Sequence, residues 1–168
     1  MRRRPSCPRG ANSVSIVTPT VERLPAGPGT YAVLFRVRGE HAIAVGRLGR
    51  LVLRTGWYVY VGSAFGPGGL AARVGRHLRP NKTARWHVDY LRAAAEPVGI
   101  WTSTDPVPRE HNWAAVFQGL PGASIPLPGF GASDCRCAAH LFFFRRPPDP
   151  DRIRRCLPGG LRGGDAVS

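Results

Sequence analysis

Between residues 57 and 79 the hydrophobic period switches from two to about 3.6, and that switch narrows the possible folds more than any other feature of the chain. Residues 57–63 (WYVYVGS) alternate as a strand, with Tyr58 and Tyr60 on one face and Trp57, Val59 and Val61 on the other. A glycine-rich break follows at 65–69 (FGPGG). Residues 70–79 (LAARVGRHLR) then place Leu70, Val74 and Leu78 on one helical stripe, with Arg73 and His77 side by side on its flank, before Pro80 and Asn81 end the run. A strand joined by so short a loop to an amphipathic helix needs a sheet on which that helix packs.

The other elements follow by the same reading. Strands are expected at 30–37 and 98–104, an inserted β-hairpin at 42–48 and 51–54 around Gly49-Arg50, and a last strand at 137–145. Two more helices are expected, at 85–95 with Thr83 as cap and Pro97 as stop, and at 109–118 after Pro108. The fold class is therefore α/β, a small mixed or antiparallel sheet flanked by about three helices. The 168 residues suit one domain at 27–146, preceded by a flexible basic arm at 1–26 and followed by an Arg/Pro/Gly-rich tail at 147–168. No stretch approaches the roughly 20 apolar residues of a membrane helix. A cytoplasmic protein without a membrane partner is expected. Cysteines at 7, 135, 137 and 156 are too few for a disulfide framework, so reduced thiols are expected.

Charge supplies the partner. Twenty-four Lys and Arg against ten Asp and Glu give a net charge of +14, and all the basic residues but Lys82 are Arg. Self-repulsion of that size suits a protein that works on a polyanion: nucleic acid, DNA foremost, ahead of an anionic membrane surface. The charge is uneven. Residues 46–92 hold eight Arg and Lys82 against Asp89, whereas 93–144 hold two Arg and four acids. Arg76, Arg79, Lys82 and Arg85 fall in the basic stretch and are candidate phosphate contacts; the plainer reading is that they decorate a solvated surface.

Two clusters remain. Glu110 shares a helical face with Trp113, Ala114 and Phe117, so its carboxylate must cap the helix, pair, or hold a cation. Asp134, Cys135, Cys137 and His140 suggest zinc, but supply only three soft ligands where a structural site takes four, with Cys7, Cys156 or His77 as possible completions. A buried structural motif, with Asp134 pairing an Arg near the cleft, is the competing reading. His87 and Trp86 read first as core residues, and Trp86 also as a stacking platform.

Gly29-Thr30-Tyr31, Tyr60-Val61-Gly62, Arg73 on the next helix and Glu110 on a later one resemble, in that order, the GIY-YIG nuclease domain. The strings GWYVYVGSAFGPGGLAARVGRHL, RWHVDYL and GFGASDCRCAAHLFF resemble its Uri-type branch more closely, and the likeness runs from about residue 29 to 144. The resemblance implies a metal-dependent endonuclease hydrolysing phosphodiester bonds in DNA or structured nucleic acid. Glu110 would hold Mg²⁺ or Mn²⁺, and one of Tyr31 and Tyr60 would take a proton from water while the other orients the phosphate. Arg73 offers a bidentate phosphate contact and His77 a donor or proton shuttle. Three departures stand against the pattern: 28 residues lie between Tyr31 and Tyr60, Ser63 replaces a commonly basic residue, and Arg73 comes late after its motif. A non-catalytic nucleic-acid-binding module of the same fold is the alternative.

Overall fold

The computed structural model describes residues 24–157. The chain runs β1 (Gly29–Val37), β2 (His41–Val45), β3 (Gly49–Leu53), β4 (Gly56–Ala64), α1 (Gly69–Leu78), α2 (His87–Arg92), β5 (Glu96–Ser103), α3 (Glu110–Gly119), β6 (Leu141–Phe144) and α4 (Pro150–Cys156). One sheet has the order β5-β1-β4-β6 with every pairing antiparallel, and β2 with β3 forms the separate inserted hairpin. The α/β class holds. No helix among the described residues is long and apolar enough to cross a membrane.

The central strands β1 and β4 are buried on both faces, which is why they read as nearly unbroken apolar runs. Their alternation sorts side chains into two cores. Tyr31, Val33, Phe35, Tyr58 and Tyr60 pack with Leu70 and Val74 of α1, Val88 and Leu91 of α2, and the hairpin's Leu51 and Leu53. Ala32, Leu34, Val59 and Val61 pack on the other side with Trp113 and Phe117 of α3 and Ile153 of α4. The motif tyrosines thus lie on the α1 face.

Four expectations are corrected. The second helix starts only at His87, because the Arg85 and Trp86 N–H groups donate to Asp89 Oδ2 (2.9 and 3.1 Å) instead of entering the helix. The last strand starts only at Leu141, because residues 129–140 close on themselves through Gly129 N–H to Ala138 O and His140 N–H to Phe130 O, both 2.7 Å. The region read as a tail from 147 contains α4, capped by Asp149 with Pro150 in its first turn and anchored by buried Ile153; Cys156 at its end is disulfide-bonded rather than reduced. Most of the basic arm lies outside the described residues, as does the end of the tail. Two described residues of the arm are held, Leu24 by packing on the core and Pro25 by its carbonyl, which accepts from Ala71 N–H (3.0 Å); just beyond the arm Gly27 O accepts from Leu70 N–H (2.9 Å). These carbonyls serve orphan donors at the start of α1, where Gly68 has no side chain to do so.

Candidate functional site

At one end of β1 and β4 the chain leaves a cleft of about 500 Å³ lined by Tyr31, Tyr60, Ser63, Arg73, Trp86 and Glu110. Cross-strand register builds its floor. Tyr31 faces Gly62 across the β1–β4 ladder, and a Cβ on Gly62 would sit 2.4 Å from the Tyr31 hydroxyl, so the phenol reaches the cleft only over glycine. Gly29 is equally enforced: a Cβ there would meet Ser103 O at 2.1 Å.

Glu110 comes from the far side of the sheet, and the side chains of Thr30, Ser63 and His140 bring it to the cleft. Thr30 Oγ1 accepts from the Arg109 N–H (3.0 Å), tying the start of α3 to the start of β1. Ser63 Oγ then donates to Glu110 Oε2 (2.8 Å), and His140 Nδ1 lies 3.0 Å from Glu110 Oε1. Burial pushes the Glu110 carboxyl upward, but His140 and Ser63 outweigh it and hold it below its usual range. It is an anion at neutral pH. Each oxygen has one side-chain partner, so lone pairs remain for a hard cation that keeps several of its waters. The residues present therefore fit Mg²⁺ or Mn²⁺. Asp134 is exposed on the same cleft, paired with no arginine among the described residues.

His77 does not line the cleft and is not solvent-facing; it is buried behind Tyr31, with its Nε2 2.8 Å from the Tyr31 hydroxyl. Its Nδ1 faces Asp89 Oδ1 at 3.7 Å, which favours the proton on Nδ1 and leaves Nε2 to accept from Tyr31. Burial lowers the His77 pKa, so the ring is neutral at pH 7. Burial also raises both phenols: Tyr31 well above its ordinary value, helped by Tyr60 and opposed by Arg73, and Tyr60 similarly, helped by Glu110.

Of the basic residues, Arg73 and Arg85 line the cleft, whereas Arg79 is exposed away from it. Arg76 and Lys82 are turned onto Asp89, at 3.3 and 2.8 Å. Trp86 is half-buried, with the Arg73, Arg76 and Arg85 guanidinium carbons 4.7, 4.7 and 5.6 Å from its ring centre, a cation–π cluster at the cleft wall. His87 also lines the cleft and its Nδ1 accepts from the Gly131 N–H (2.9 Å).

Asp89, unremarked in the sequence except as a lone acid, organises this wall. Burial raises its carboxyl, but His77, Lys82 and the Arg85 and Trp86 amides reverse that and hold it far below the usual range. Asp89→Ala is expected to destabilise the fold by about 3–5 kcal/mol in denaturant titration, since it strands buried partners. A depressed folded pKa means that this stabilisation is complete above the unfolded value of about 3.9 and is lost as pH falls below it. The wild type should weaken in acid more steeply than Asp89→Ala; parallel curves would contradict this.

The Cys/His cluster gains a fourth member from α3. His111 Nδ1 lies 3.1 Å from Cys137 Sγ, Cys135 Sγ lies 3.4 Å from His140 Nε2, and the four ligand atoms all fall within 4.8 Å of one another. His77 is not part of the group, and Cys156 is committed to its disulfide. His111 carried no sequence signal beyond being a histidine one position after Glu110.

No curated protein and no solved structure matches the chain. The sequence model of one family covers residues 30–158, all of the strands but the first residue of β1, and all four helices. The chain belongs to that family, described as the domain of unknown function DUF123.

Proposed function

We propose that this chain is a GIY-YIG-type endonuclease of the Uri-type branch, hydrolysing phosphodiester bonds in DNA or structured nucleic acid with Mg²⁺ or Mn²⁺. The observation that carries the reading is convergence: Tyr31, Tyr60, Arg73 and Glu110, from β1, β4, α1 and α3, line one cleft, with His77 bonded to Tyr31 from behind.

Glu110 would hold the divalent cation, which when bound would supply positive charge against the developing oxyanion and lower the pKa of water. The chain does the rest. As water oxygen attacks phosphorus, Tyr31 takes the water proton while its own moves to His77 Nε2; the leaving oxygen departs with the bonding pair and takes a proton from solvent, and His77 then returns its proton to solvent to reset the pair. Asp89 faces the imidazolium so formed, and Arg73 balances charge on the phosphoryl oxygens. Arg85 and the Trp86 face hold the flanking strand by charge and stacking.

Burial of both phenols favours a second reading, a binding module without turnover. A panel of duplex, single-stranded and branched DNA, each assayed for binding and for cleavage with Mg²⁺ or Mn²⁺, separates the two. Cleavage of any member supports the nuclease; tight binding of intact substrates throughout supports the module.

A further inference from the structure

We propose that His111, Cys135, Cys137 and His140 form a closed, structural zinc site beside the cleft. The proposal stands apart from the nuclease reading. Zinc–sulfur bonds of about 2.3 Å and zinc–nitrogen bonds of about 2.0–2.1 Å give a tetrahedron with ligand–ligand edges of about 3.3–3.8 Å. The His111–Cys137 and Cys135–His140 contacts, at 3.1 and 3.4 Å, are already on that scale, and the widest separation in the set is within 4.8 Å. Side-chain rotation closes the remainder. Thiolates with imidazoles select zinc over hard cations such as Mg²⁺, and four protein ligands leave no open position for substrate, so the site is structural and distinct from the cation expected at Glu110.

The surroundings are those of a metal histidine. His140 turns Nε2 to Cys135 and Nδ1 to Glu110 Oε1 at 3.0 Å, the carboxylate–histidine–metal arrangement that fixes the tautomer and aims the ring. Its backbone is locked on both sides: His140 O accepts from Val61 N–H of β4 (2.9 Å), and His140 N–H donates to Phe130 O. Neither cysteine is in a disulfide, and outside the set the Cys135 thiol makes, among the described residues, only a long S–H contact to Ala132 O (3.9 Å). Two thiolates also neutralise the ion in a region where Glu110 is already anionic. Zinc would join the first turn of α3 to the 129–140 loop, and through His140 it would hold the carboxylate that faces the cleft.

The test is metal content of the full-length chain, incubated with Zn²⁺, dialysed free of unbound metal and measured by atomic emission. Co²⁺ loading reports geometry through d–d bands and a thiolate charge-transfer band. The wild type should retain about one zinc per chain and show a tetrahedral S₂N₂ spectrum. His111→Ala, an exposed position whose fold is checked by circular dichroism, should lose the metal, and His111→Cys should regain it. Cys137→Ser should lose it too, while His41→Ala, a remote exposed histidine, should keep it. Glu110→Gln should weaken zinc affinity about 10–100-fold, the usual effect of losing a carboxylate behind a ligating histidine. Folded wild type that retains no zinc, or a His111→Ala variant that binds zinc as tightly as wild type, overturns the proposal.

Discussion

Tyr31→Phe is expected to lower the cleavage rate about 10²–10⁴-fold, the range of a positioned general base, with nucleic-acid affinity close to wild type. Only the hydroxyl is removed, so the ring still fills the core beneath α1. The loss leaves His77 Nε2 without its buried partner, which costs roughly 1–3 kcal/mol, so rates are compared at matched folded fraction. A pH profile tells a proton role from a packing role. Burial lowers the His77 pKa, and the neutral ring is the form that accepts the Tyr31 proton. Activity should therefore rise with pH along a limb lying below the ordinary histidine value of about 6.5 and be level above it. His77→Gln should abolish that limb. A wild-type profile rising only above neutrality would point to the phenols titrating directly.

Arg73→Ala is expected to reduce kcat about 10²–10³-fold, the usual cost of deleting a preorganised charge aimed at the transition state. Its guanidinium lies over Trp86 and lines the cleft with Glu110 and both tyrosines, so it is held in place before substrate arrives. Lysine should rescue poorly: an ammonium neither forks onto two phosphate oxygens nor stacks flat on the indole. Arg79→Ala, by contrast, alters an exposed residue away from the cleft and should change salt-dependent binding modestly, with little effect on kcat. Equal losses at both positions would mean that general basicity, rather than the cleft, governs activity.

The central architecture was legible because alternation and helical period are local signals: the 57–63 strand, the glycine break and the amphipathic helix were read within one or two residues of β4 and α1. The tyrosine motif was legible as well, and the register Tyr31 opposite Gly62 shows why glycine belongs there. What escaped was a set of long-range ion pairs and ligand contacts. Asp89 looked like a stray acid in a basic stretch, yet three-dimensional proximity to Arg76, Lys82 and His77 makes it the hub of one cleft wall. Two candidate phosphate contacts, Arg76 and Lys82, are for that reason engaged within the fold. His111 sits 26 residues from Cys137, so no spacing rule joins them. α4 was hidden by composition: proline and arginine suggested a tail, although Asp149-Pro150 is an N-cap followed by a first-turn proline and Ile153 supplies the apolar anchor.

The most direct test of nuclease function is nicking of supercoiled DNA by the full-length chain during titration with Mg²⁺ or Mn²⁺, beside Glu110→Gln, with zinc content measured in the same samples. Glu110→Gln keeps the side-chain shape and removes the charge that fits the cation. Wild type should nick in a metal-dependent, saturable manner, and Glu110→Gln should bind DNA normally yet nick at least about 10²-fold more slowly at every metal concentration. Wild type that binds the DNA and leaves it supercoiled at all metal concentrations, or Glu110→Gln that nicks at the wild-type rate, would contradict it.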